Sequence, residues 1–140
     1  MRKGFALIEA LTVMALAALL VYGASSILMN LAPKYRLKRA AWEVQTRLNY
    51  ARYRAIFEGC PFRVRFEPDG YVVEKYDENR DEWRPAARGS VEGVEIEANN
   101  SPTFHPVGTV SNLATILVFN SWGTYRITIA ISGRVKAVPI

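Results

Sequence analysis

The sequence has 140 residues, one domain's worth, with 50% hydrophobic and 22% charged residues. Lys and Arg number 18 against 13 Asp and Glu, a net of +5, and there is a single Cys. These figures exclude a disordered chain, a collagen and a disulfide-knotted toxin, and they argue against a large enzyme with its own cofactor domain.

Residues 1–33 carry Arg2, Lys3 and Glu9, a net of +1. From Ala10 to Ala32 there are 23 positions without a charge. A helix needs ~20 residues to cross a ~30 Å hydrocarbon core. This is spanning length, longer than the ~7–15 residue apolar stretch of a secretory signal peptide. The small residues Gly23, Ala24 and Ser25 would suit a signal peptidase, but an acid inside the segment argues against that cut. A charged side chain in hydrocarbon costs ~2.5–3.5 kcal/mol on insertion scales. Glu9 therefore points to a function, unless it is hydrated at the interface.

Met1-Arg2-Lys3-Gly4 is a short basic leader ending in Gly, followed by Phe5-Ala6-Leu7-Ile8-Glu9-Ala10 and the long apolar run. This resembles the class III signal of type IV pilins and type II secretion pseudopilins. The resemblance implies a membrane prepilin peptidase that cuts between Gly4 and Phe5 and methylates the new amine of Phe5. It implies that Glu9 neutralises that amine in a neighbouring subunit during assembly. The chemistry is plain: a buried ammonium needs a buried counter-charge, or each carries its desolvation cost alone. By the positive-inside count, Lys34, Arg36, Lys38 and Arg39 would keep the C-terminal part inside, against Arg2 and Lys3 before the span. The prepilin leader implies the opposite orientation, with the N-terminus inside, and that is the reading adopted.

Residues 34–65 hold nine bases and two acids, a net of +7. Past Pro33 the pattern turns amphipathic. Leu37, Ala41, Val44, Leu48, Ala51 and Ala55 recur at helical spacing, with Arg36, Arg39, Arg47 and Arg54 largely off that stripe. Glu43 and Arg47 are placed for an i,i+4 ion pair. Gly59, Cys60 and Pro61 end the helix. The spacing predicts helix from about Phe5 to Glu58, roughly 80 Å long at 1.5 Å per residue. Gly23 and Pro33 are the points where it could bend or unwind. Ala15, Ala17, Ala18, Ala24, Ser25 and Ser26 would let such helices pack closely.

From Pro61 the period becomes two. Phe62 to Phe66 and Tyr71 to Tyr76 flank Pro68-Asp69-Gly70 and read as a hairpin. Asp77 to Glu82 reads as an acidic loop within residues 66–100, where four bases meet ten acids for a net of −6. Val94 to Glu97 alternates again. Thr115 to Asn120 and Tyr125 to Ile131 flank Ser121-Trp122-Gly123-Thr124, and Arg134 to Val138 follows the Ser132-Gly133 turn. Residues 101–140 hold Arg126, Arg134 and Lys136 and no acid, a net of +3. The head reads as antiparallel β, six or seven strands. Such a small sheet needs the apolar stripe of the stem to complete its core.

Phe104-His105-Pro106-Val107-Gly108, a hairpin, and Ile131-Ser132-Gly133-Arg134-Val135 look like the F-x-P-x-G turn and terminal G-R-V strand of GspH/FimT-type minor pilins and pseudopilins. Asn49 to Ile56 resembles that family's stem end, L-x-x-A-R-x-x-A-I. The resemblance implies an α+β lollipop: a long N-terminal helix, transmembrane then amphipathic, packed on an antiparallel head. Its parts would be a leader (1–4), a transmembrane assembly helix (5–32), an amphipathic stem (33–58) and a β head (59–140). It implies an inner-membrane, single-pass subunit with its head in the periplasm or outside. Partners would be the prepilin peptidase and other pilin or pseudopilin subunits, and no cofactor is expected.

Other candidates are weighed on their residues. Cys60 has no partner in the chain and reads as a buried small residue. His105 stands alone in a turn and reads as structural, so no metal site is expected. Asp77-Glu78-Asn79-Arg80-Asp81 begins like a calcium loop. Glu82 then stands where Gly is needed and Arg88 where Glu is needed, so the EF-hand reading is rejected. Trp83 and Trp122 read equally as contact residues or as packing. No nucleophile elbow, zinc-protease motif or phosphate loop is present, and no catalytic residue is assigned. The leading expectation is a minor subunit that primes or caps a pilus or pseudopilus. The alternative is a pilus-tip DNA-binding subunit acting in DNA uptake. It would bind through Arg126, Arg134 and Lys136, although Gly133-Arg134-Val135-Lys136 has Lys where DNA-binding relatives have Arg. A third reading is a bitopic envelope protein that never assembles.

Overall fold

A computed structural model describes residues 2–140, without the side chains of Arg2 and Lys3. Met1, part of the expected leader, lies outside the described residues. The chain divides into two units between Ala32 and Pro33. One α-helix, α1 (Arg2–Glu58), carries both the apolar run and the stem, and Pro33 lies inside it. It is long and apolar enough to cross a membrane. It stops where the sequence predicts, and the Gly59 N–H donates back to the Ala55 carbonyl at 3.1 Å.

The unit from Pro33 to Ile140 contains the core. On α1, Leu37, Ala41, Val44, Leu48, Ala51 and Ala55 are all buried, as the stripe predicts, and Ala40 joins them. Nine strands follow among the described residues: β1 (Phe62–Glu67), β2 (Gly70–Asp77), β3 (Glu82–Ser90), β4 (Glu95–Ala98), β5 (Thr103–Phe104), β6 (Val110–Ser111), β7 (Thr115–Asn120), β8 (Gly123–Ile129) and β9 (Val135–Pro139). They form two antiparallel sheets, ordered β3-β2-β1-β5-β6 and β4-β7-β8-β9. Inward residues of both, including Phe62, Val64, Tyr71, Val73, Ile116, Val118 and Ile127, share one hydrophobic cluster with the stem stripe. The stem thus closes a core that neither sheet closes alone. Fully burying one Leu or Phe contributes ~1.5–3 kcal/mol.

The β1–β2 and β7–β8 hairpins appear where alternation places them, each closed by a two-residue loop between paired ends, Glu67↔Gly70 and Asn120↔Gly123. Three strands differ from expectation. β3 has no clean alternation and contains Pro85, yet it pairs with all of β2 across a bulge at Val73/Glu74. It lies on the sheet edge, where a missing N–H is tolerated. The two-residue strands β5 and β6 flank the Phe104–Gly108 turn and are too short for a periodic signal.

The expected Glu43–Arg47 ion pair is not direct. The buried Tyr71 hydroxyl stands between them, donating to Glu43 Oε1 at 2.8 Å and accepting from Arg47 Nε at 2.8 Å. Packing of the sheet against the stem places the Tyr71 hydroxyl between the two charges. Burial, then the Glu43 hydrogen bond, pushes the Tyr71 phenol above its ordinary value.

Candidate functional site

Gly4, Phe5 and Glu9 all lie in α1. Phe5 is 79% exposed and Glu9 is exposed. Four residues apart on a helix, Phe5 and Glu9 share one face, and the Glu9 side chain leans back toward the N-terminus. Thr12, one turn on, donates its hydroxyl to the Glu9 backbone carbonyl at 2.8 Å, and among the described residues no side chain bonds or pairs with the Glu9 carboxylate. The Phe5 and Glu9 side chains are thus presented on the same side of the helix.

The basic residues of the C-terminal half form a second set. Arg126 on β8 stands opposite Val138, and Thr128 stands opposite Lys136. Arg126 and Lys136 therefore share the exposed sheet face as diagonal neighbours, ~7–8 Å apart by strand geometry. Arg134 is exposed in the turn before β9, its carbonyl held by the Ala130 N–H at 2.9 Å. The same face carries Glu95 and Glu97 on β4, paired with Phe119 and Leu117 of β7. Two strand spacings, ~10 Å, separate those carboxylates from the Arg126 strand. That is about one Debye length, so they oppose phosphate binding on this face.

The turns and stem segment singled out in the sequence come together, for a packing reason. The Arg52 side chain of the stem lies against Gly133 (φ +84°), where an added Cβ would collide with it and with the Gly108 carbonyl. Its guanidinium is 3.7 Å from where a Cβ on Gly108 (φ +87°) would stand. Both glycines adopt left-handed backbone, which L side chains rarely do, while leaving space for the arginine. Val110 N–H to Ile131 O at 3.0 Å ties the two turns together. One stem arginine thus connects three segments whose spacing in the sequence carries no sign of the contact.

The remaining candidates are structural. The His105 ring is 2.8 Å from the Ser111 hydroxyl, and the His105 backbone N–H donates to Thr109 O at 2.9 Å, closing the turn. Cys60 is buried, and burial pushes its thiol above the usual range, which disfavours the reactive thiolate. Asp77 and Glu82 are engaged by Arg84 at 3.4 and 3.1 Å, and no metal-holding cluster occurs among the described residues. Trp83 is packed, with Arg63 over its ring at 4.3 Å and Tyr76 at 5.2 Å. Trp122 is half exposed, with the Lys34 amine 5.1 Å from its ring centre.

No protein-family model matches the chain, and no curated protein matches it in sequence. Solved structures do match in fold. The minor pseudopilin EpsH from the type 2 secretion system of Vibrio cholerae superimposes with a TM-score of 0.64 at 16% identity, covering 74% of this chain and 97% of that one. The type IV minor pilin FimU of Pseudomonas aeruginosa superimposes with a TM-score of 0.62 at 17% identity, covering 76% and 90%. The fold is therefore pilin-like: a long N-terminal helix packed on an antiparallel head. Within that class its likeness is to minor pseudopilins and minor pilins.

Proposed function

We propose that the chain is a minor pilin or pseudopilin, a non-enzymatic subunit that primes or caps a type IV pilus or a type II secretion pseudopilus. Residues 1–4 are the leader, 5–32 the membrane and assembly helix, 33–58 the stem and 59–140 the head. The prepilin peptidase cuts after Gly4 and methylates Phe5, and the chain waits in the inner membrane with its head in the periplasm. On assembly, Glu9 meets the Phe5 ammonium of a neighbouring pilin-like subunit. One observation carries the reading: a pilin-like head is joined in one chain to an apolar helix that bears Glu9 one turn after Phe5. Both charges are costly in an apolar filament unless paired.

The test has two parts. Mass spectrometry of the membrane-extracted protein is expected to find a chain beginning at methylated Phe5. Intact Met1, or a start near Ser25, would overturn the reading. Glu9→Ala is expected to insert and fold normally but to fail to enter a filament or initiation complex.

A second reading, weak DNA binding in uptake, is favoured by the shared exposed face of Arg126 and Lys136, with Arg134 at its end. Glu95 and Glu97 weigh against it. Three phosphate contacts would give non-specific affinity on the order of 10⁻⁴–10⁻⁶ M, falling with salt by about one unit of log–log slope per contact. Equal binding by the wild type and Arg134→Ala/Lys136→Ala in a salt series would eliminate this reading.

A further inference from the structure

We propose that the start of the stem and the β7–β8 turn form a docking surface for anionic phospholipid headgroups. The proposal rests on the reading of residues 5–32 as an inserted span. Lys34, Arg36, Lys38 and Arg39 follow Ala32 within seven residues, ~10 Å of helical rise. Chain connectivity therefore holds them at the bilayer surface, within about a Debye length of it. All four are exposed, and none makes a salt bridge among the described residues. The head contributes the β7–β8 turn. Asn120 Nδ2 donates to Pro33 O at 2.8 Å, and the Lys34 amine lies 5.1 Å from the ring centre of the half-exposed Trp122. Tyr35 and Trp42 are exposed on the same stem turns.

Amphipathic aromatic rings and unpaired bases are the side chains that suit a headgroup layer. Two acids, Glu43 and Glu92, line the cleft beside Arg36 and Arg39. Asp69 and Glu95 line the next cleft, beside Asn120 and Ser121, so attraction comes from the four bases lying nearest the span rather than from a net charge, and each base near an anionic leaflet strengthens it about fivefold. The surface accounts for a feature that connectivity alone does not: a basic cluster on the side of the span where a translocated head should avoid one. Docking would hold the head at the membrane until assembly replaces the lipid contacts with subunit contacts.

The experiment uses the full chain in nanodiscs, with Ser121→Cys carrying a fluorophore in a Cys60→Ser background. The discs are phosphatidylcholine, with or without abundant phosphatidylglycerol, and each contains a headgroup-nitroxide lipid as quencher. The expected result is quenching several-fold stronger with phosphatidylglycerol, lost at high salt and lost in Lys34→Glu/Lys38→Glu/Arg39→Glu. Trp122→Ala should weaken it without touching the bases. Equal quenching in both lipids, or lipid dependence that survives charge reversal, overturns docking while leaving the span reading intact. Shielding that depends on chains per disc instead assigns the surface to a second copy and also overturns it. Failure to enter discs at all overturns the span reading and the docking with it.

Discussion

The two halves of α1 treat apolar side chains in opposite ways. Before Pro33, Leu16 and Leu20 are 62% and 75% exposed, and apolar residues cover every face of the helix. After it, Leu37, Val44 and Leu48 are fully buried under two sheets, while the opposite face carries polar and aromatic groups. A helix apolar all round must be surrounded, by lipid or by other helices, whereas an amphipathic one needs a partner on one side only. The first half is thus an unsatisfied surface that demands an external environment. The second is satisfied within its own chain. This division suits the proposed function, in which the head keeps its fold while the surroundings of its anchor change.

Truncation in the two halves breaks this comparison most directly. Phe104→Ala, in the fully buried cluster, is expected to destabilise the head by ~3–5 kcal/mol, read as a large fall in Tm. Leu16→Ala should leave that Tm unchanged. A shared response would show that the halves are energetically one body.

The next effect is smaller and tests the connection of stem to head. Gly133→Ala must move either Arg52 or the backbone from a left-handed turn, at ~1–3 kcal/mol. Arg52→Ala in the same chain should relieve part of that cost. Additive losses in a double-mutant cycle would mean that the arginine and the turn do not interact.

Tyr71→Phe removes the hydroxyl between Glu43 and Arg47 and should cost ~1–3 kcal/mol near neutral pH. It also has a pH signature. The folded phenol titrates above its unfolded value, so its stabilisation is complete below pH ~10 and is lost as pH rises through the folded pKa. Wild-type stability should therefore fall above pH ~10, and the Phe variant should fall less steeply.

The smallest effect belongs to Glu58 at the end of the stem. The Lys75 hydrogen bond at 2.7 Å, then the Arg54 bond, holds its carboxyl below the ordinary range. That stability is present above the unfolded pKa of ~4.3 and is lost as pH falls through the folded one. These pairs are open to solvent and screened by it, so Glu58→Gln should shift Tm only slightly and flatten the acid limb. A large loss would mean that the stem end is held by charge rather than by packing.

Periodicity alone placed the boundary at Pro33, the buried stem stripe, the stop at Gly59 and two hairpins, because each is a local consequence of spacing and turn chemistry. The pilin-like fold was legible by resemblance, because Met1 to Gly4, Glu9 and the apolar run that carry it lie close together in sequence. Tertiary structure decided the rest. β3 exists because β2 offers it a ladder, which overrides Pro85 and a charged sequence with no alternation. Tyr71 took both partners of an ion pair that helix spacing predicts, because the sheet delivered its hydroxyl between them. Arg126 and Lys136 share a face with Glu95 and Glu97 only through strand register, which no segmental charge count contains. Trp122 reached Lys34 across 88 residues because the β7–β8 turn packs at the start of the stem. Local pattern specifies which residues are buried and where elements end. Which side chains meet across the chain is set by how those elements pack, since each contact joins segments that carry no mark of one another.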